Sequence, residues 1–122
     1  MKLSILVTTL FLFGLSTHCN SADYYIDSVG GSDSNDGLSL RTPWKSHTKV
    51  ESASLVAGDI VHFKRGSAFS GNIRISASGT AALPIRLTSY GKGALPKFTN
   101  PHTDNDDGNA LILGGDYIIV EN

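Results

Sequence analysis

Seven short runs of strand-forming residues follow one another along this chain, with turn residues filling most of the gaps between them. They are DYYIDS (23–28), DIVHFKR (59–65), NIRISAS (72–78), PIRLTSY (84–90), PKFTN (96–100), ALILGG (110–115) and YIIVEN (117–122). β-Branched and aromatic side chains of this kind suit a pleated, half-buried surface. Three of the runs alternate: Val61 and Phe63 against Ile60, His62 and Lys64; Ile73 and Ile75 against Asn72, Arg74 and Ser76; Ile85 and Leu87 against Arg86 and Thr88. The anchors Ile73, Ile85, Phe98 and Leu111 recur at intervals of 12, 13 and 13, with SGT, GKGALP and DNDDGN between them. Short strands at nearly regular spacing leave a sandwich, a barrel or a β-solenoid. No gap is a two-residue Asn-Gly or Asp-Gly loop between alternating runs, the strongest sign of antiparallel pairing. The expectation is therefore an all-β chain whose strands pair in parallel as the coils of a solenoid.

Before the regular strands comes VGGSDSNDGLSLRTP (29–43), a loop rich in residues that take tight or left-handed turns. TPWKSHTKVESASL (42–55) is the one helical candidate. Thr42 suits an N-cap and Pro43 the first helical position, where a missing N–H costs nothing. Trp44, His47, Thr48, Glu51 and Leu55 then fall at helical spacing. This predicts a short helix over Pro43–Leu55 that lays Trp44 on the core and caps the open end of the stack, as solenoids require. AGD (57–59) is a turn, so Trp44, Gly58 and Asp59 are the expected structural residues.

The first 22 residues have a different character. Lys2 precedes an apolar run from Leu3 to Leu15, and a polar stretch with Ser16, Thr17, His18 and Asn20 follows. This is the layout of a secretory signal peptide over residues 1–22, and the run is too short for a membrane span, which needs about 20 apolar residues. The product is expected to be secreted, periplasmic or on the cell surface. Cys19 is the sole cysteine, so no disulfide framework is available; a lipid-modified Cys19 is the minor option. Without Lys2 the remaining chain has nine Lys+Arg against eleven Asp+Glu, a balance that offers nothing to nucleic acid. No oligomer is expected.

Chemistry-bearing motifs are sparse. Asp104, Asp106 and Asp107 in TDNDDGN offer oxygens to a hard cation, but Thr103 stands where an EF-hand loop has its first Asp and no closing Glu follows. SDSNDG (32–37) fails in the same way. Solvated acidic turns are the ordinary reading of both. His47, His62 and His102 have no metal-ligand spacing. Lys64 and Arg65 could meet an anionic sugar, although strand charges more often keep an edge soluble. Asn72, Arg74 and Arg86 are expected outward, beside one another on adjacent coils. No catalytic residue and no cofactor site is identified.

The order of motifs over residues 24–122 carries a resemblance: YYIDSVGGSDSNDGLSLRTPWKS, AGDIVHFKRGSAFSGNIRISASGTAALPIRLTSYGKGALPKF and ALILGGDYIIVEN. It resembles the N-terminal part of secreted right-handed parallel β-helix proteins of the pectate-lyase-like superfamily. The resemblance implies a long stack of coils that acts on polysaccharides as a lyase, hydrolase or epimerase, with catalytic groups several coils further on, and Ca²⁺ is possible in a longer protein. Residues 23–122 are then expected to be the cap and first coils of an incomplete domain, without a complete active site. Two alternatives are a non-catalytic β-helix that binds carbohydrate or acts as an adhesive surface protein, and a small stand-alone secreted β domain.

Overall fold

The computed structural model describes residues 20–101 and 109–122. Eight short strands alternate with turns: β1 Asp23–Ile26, β2 Ile60–Lys64, β3 Ala68–Ser70, β4 Ile73–Ile75, β5 Ile85–Tyr90, β6 Lys97–Thr99, β7 Leu111–Leu113 and β8 Ile118–Val120. Every strand pairing is parallel. One sheet has the order β1-β2-β5-β8, a second pairs β3 with β6, and a third pairs β4 with β7. The chain visits the three sheets in the same order twice, then returns to the first with β8. β3 is the one strand that the sequence pattern did not mark.

The register corrects the meaning of the regular spacing. Ile60 lies beside Arg86, an offset of 26, and Ile73 beside Leu111, an offset of 38. Anchors 12 or 13 residues apart therefore sit on successive strands of different sheets, and one circuit takes two to three such intervals.

The alternation of the strands decides the interior. Ile26, Val61, Phe63, Ile85 and Leu87 point inward from the first sheet; Phe69 joins them from the second, and Ile73 and Ile75 from the third. Phe69 stacks on Phe98 with centroids 5.1 Å apart, and Phe63 stands edge-on to Phe98 at 5.0 Å. Offset and edge-to-face pairs of this kind add to the burial of their area.

The helix expected over Pro43–Leu55 is not formed. A single helical turn, α1 Thr48–Ser52, remains, with His47 at its N-terminal boundary and Val50 buried. Residues 42–46 are drawn into other contacts instead. Trp44 donates its N–H to Tyr25 O (2.9 Å) and accepts from Asp27 N (2.8 Å), forming a parallel bridge with Ile26. Pro43 O accepts from Ser32 N and from Asn35 Nδ2. A helix through Pro43 and Trp44 would forfeit all four bonds. Trp44 is nonetheless buried, stacked on Tyr24 at 5.2 Å, with its indole N–H on Asn35 O at 2.9 Å. Gly37, at φ 72°, closes over the ring; a Cβ there would lie 2.5 Å from the indole.

On the β1 side, each sheet has its outer edge covered. Gly37 O and the Trp44 backbone bond β1. Ser28 Oγ accepts from Ala68 N on β3, while Ser67 Oγ accepts from Ser28 N. His47 Nε2 contacts Asn72 O at 3.1 Å, and Glu51 Oε1 accepts from Arg74 N on β4 at 2.8 Å. His47 and Glu51 are one helical turn apart, so α1 presents both to the same strand edge.

Candidate functional site: the outward face of the first sheet

Outward positions of β1, β2 and β5 form a continuous surface. The register sets Tyr25 beside His62 and His62 beside Thr88; one step along, Lys64 lies beside Tyr90. Tyr25 and His62 stack at 4.8 Å with planes 9° apart, and Tyr90 stands edge-on to Tyr25 at 5.5 Å. The stacking covers one face of each ring, and Tyr90 meets both rings edge-on.

The charges on this face are paired. His62 Nε2 lies 3.0 Å from Asp23 Oδ1. Lys64 Nζ donates to Asp27 Oδ2 at 2.7 Å. Arg86 Nη1 lies 3.1 Å from both carboxylate oxygens of Glu121. Asp27 is buried, and its Oδ1 accepts from Val29 N and Gly30 N, an Asx turn closed by the glycine pair. Burial alone would raise its pKa, but the Gly30 amide, the Lys64 ammonium and the Val29 amide together hold it below the ordinary carboxylate value. Burial, then the nearby Asp27 carboxylate, then Tyr25, push Tyr90 up to about 12.

The residues singled out from sequence divide clearly. Lys64 is engaged by Asp27, and Arg65 is tied to the 90–94 loop through its N–H to Tyr90 O and its guanidinium to Gly93 O. The expected row of Asn72, Arg74 and Arg86 does not exist. Arg74 pairs with Ile112 in the third sheet, Arg86 lies between Ile60 and Ile119 in the first, and Asn72 precedes β4. Gly58 adopts φ 90°, and Asp59 is buried with Oδ1 accepting from Ala22 N (2.7 Å) and Oδ2 from Val56 N (2.8 Å). Within SDSNDG, Asp33 holds Lys45 N, Ser46 N and Ser46 Oγ, while Asp36 holds Leu38 N and Thr42 Oγ1. These acids fasten the loop and turn their oxygens to protein donors. Asp104, Asp106 and Asp107 lie outside the described residues, as does His102. Among the described residues, no group of three His, Cys, Asp or Glu could hold a metal. No described helix is long and apolar enough to cross a membrane.

Sequence reasoning missed Tyr25, Asp27 and Tyr90. Their signal was present: Tyr25 and Tyr90 take the outward parity of their strands, and Asp27 stands two and three residues before the amides that it accepts. What the pattern lacked was the register that sets them side by side.

No protein-family model matches the chain. A lacto-N-biosidase of Bifidobacterium longum subsp. longum is 38% identical over 81 residues, covering 62% of this chain and 5% of that protein. Two crystal structures of a GH136 lacto-N-biosidase from Eubacterium ramulus share the fold. The native protein has a TM-score of 0.70 at 28% identity and the selenomethionine derivative 0.68 at 29%, each covering 83% of this chain and 19% of that one. The chain thus spans about a twentieth and a fifth of the lengths of the proteins it matches. The chain is thereby similar to part of a group of glycoside hydrolases.

Proposed function

We propose that this chain forms the first coils of a right-handed parallel β-helix in a secreted glycoside hydrolase, where it supplies scaffold and glycan contacts and does not itself cleave bonds. The carrying observation is the likeness to the lacto-N-biosidases, at 28–29% identity and TM-scores near 0.7 over 83% of this chain. Right-handedness follows from the general rule for parallel crossovers, which hold that hand in about 98% of cases. Export through a leader over residues 1–22 belongs to the same reading. Of the lyase, hydrolase and epimerase types that the sequence resemblance allowed, the likeness favours the hydrolase.

The chemistry of the first sheet narrows the ligand class. A face built to hold polyuronate needs cations free to meet carboxylates, and here Lys64 and Arg86 already have Asp27 and Glu121. Aromatic rings with nearby hydroxyls and carboxylates suit neutral sugars, whose hydroxyls both donate and accept. Glycoside hydrolysis needs an acid with a raised pKa opposite a second carboxylate. The described carboxylates of this face, Asp23, Asp27 and Glu121, each meet a basic side chain, so this face is assigned to binding.

The test is retention of the folded chain on immobilised neutral oligosaccharides and on polygalacturonate, with and without Tyr25→Ala. Retardation by neutral sugars that Tyr25→Ala abolishes is the expected result. Stronger retention on polygalacturonate, or none on either matrix, overturns the reading.

A further inference from the structure

At the turn before β2 a buried carboxylate lacks a countercharge. Asp59 is 1% exposed. Its Oδ2 accepts from Val56 N at 2.8 Å and its Oδ1 from Ala22 N at 2.7 Å, and both donors are neutral amides. Among the described residues, the ion pairs join Asp23, Asp27 and Glu121 to His62, Lys64 and Arg86, and none reaches Asp59. A buried carboxylate is costly unless it is both hydrogen-bonded and paired, and here only the first condition is met.

The missing charge is one bond away. Ala22 N–H goes to Asp59, and the Ala22 carbonyl accepts from Ile60 N at 2.9 Å. Asn20 and Ser21, just before it, are exposed. In the sequence Cys19 and Ser21 stand third and first before Ala22, and both are small, which is the spacing at which secretory leaders are cut. Hydrolysis of the Ser21–Ala22 amide breaks its C–N bond. Water gives its hydroxyl to the Ser21 carbonyl carbon and a hydrogen to the Ala22 nitrogen. At neutral pH the proton of the new carboxyl group passes, on balance, to the amine. The nitrogen that lies 2.7 Å from Asp59 then carries a positive charge.

We propose that the Ser21–Ala22 bond is the processing site of this chain, and that the α-ammonium freed on Ala22 is the counter-ion of Asp59, so that removal of the leader fastens the start of β1 to the turn before β2. Charge-assisted hydrogen bonds are roughly twice as strong as neutral ones. The bond lies one residue before the leader boundary at residue 22, and the proposal rests on the leader reading. A cut after Ala22 would discard the nitrogen that Asp59 holds.

The first test is the N-terminal residue of the chain exported by a secreting host, read by intact mass and N-terminal sequencing. Ala22 is the expected first residue. A chain that still begins at Met1 overturns the leader reading and the proposal together. One that begins at Asp23, or at a lipid-modified Cys19, leaves the leader standing and overturns the proposal. The second test compares residues 22–122 with residues 20–122, each released from a fusion with its native first residue. The longer chain keeps Ala22 N–H as a neutral donor and moves the charge two residues away. At pH 6 the shorter chain should melt about 4–8 °C higher, the shift expected for one strengthened bond in a domain of this size. Pairing raises the pKa of the ammonium, so the advantage is complete below the ordinary α-amino range and is lost as pH rises through the raised native value. This pH dependence reads the charge without any substitution, and Asp59→Asn should remove the advantage altogether. Tyr24, raised by burial and then by Asp59, the pair of Asp23 and His62, and Arg86 are common to both chains and cancel. Equal melting at pH 6, a difference that ignores pH, or one that survives Asp59→Asn overturns the ion pair.

Discussion

The two ends of the sheet stack solve the same problem in opposite ways. On the β1 side, loop and helical turn cover the outer edges with Gly37, Trp44, Ser28, His47 and Glu51. On the β8 side, Leu95, Leu113, Tyr117 and Val120 are exposed. Edges closed by polar side chains resist pairing with another strand, whereas an apolar edge invites it. The contrast teaches that side-chain-to-backbone bonds hold one end, while exposed apolar side chains mark the other. Substitutions should therefore be costly at the first end and cheap at the second.

The largest effect is expected at Trp44. Trp44→Ala removes a buried indole, its bond to Asn35 O and the surface on which Gly37 closes. Loss of about 3–5 kcal/mol is expected, in line with large-to-small aromatic changes, and denaturant unfolding measures it. An unchanged midpoint would mean that the loop does not hold the β1 end. Asp59→Ala should follow, at about 2–4 kcal/mol, because two backbone amides lose their acceptor. Asp59→Asn should recover part of that loss by keeping one acceptor.

Lys64→Met is smaller, at about 1 kcal/mol near neutral pH, because the ammonium is half exposed while Asp27 is buried. Its sharper signature is in acid. Asp27 is held below its ordinary value, so its contribution is present above the usual carboxylate range and is lost as pH falls through the lowered native value. Without Lys64 the native value moves back up, and a plot of melting temperature from pH 5 to 2 should become shallower. A plot as steep as that of the parent chain would show that the ion pair contributes nothing. Val120→Lys, at the exposed end, should change stability by less than about 0.5 kcal/mol while reducing self-association in light scattering. A loss comparable with that at Asp59 would erase the contrast between the ends.

The alternation of β2, β4 and β5 by itself determined which side chains face inward. Inward parity is a property of the strand repeat, which needs no knowledge of partners. Parallel pairing was likewise readable from the missing two-residue hairpin loops. The burial of Trp44 and the turn at Gly58 and Asp59 were read from residue type and punctuation alone. Tertiary structure decided what depends on partners distant in sequence. Trp44 was drawn out of a helix because Tyr25 and Asp27 offer its backbone a ladder. The interval of 12 or 13 residues became a step between sheets because the offsets of 26 and 38 are set by which strands pair. The face of Tyr25, His62, Lys64 and Tyr90 exists only after that register is fixed. Its charges are paired because Asp27 and Lys64, 37 residues apart in sequence, are brought to 2.7 Å by neighbouring strands.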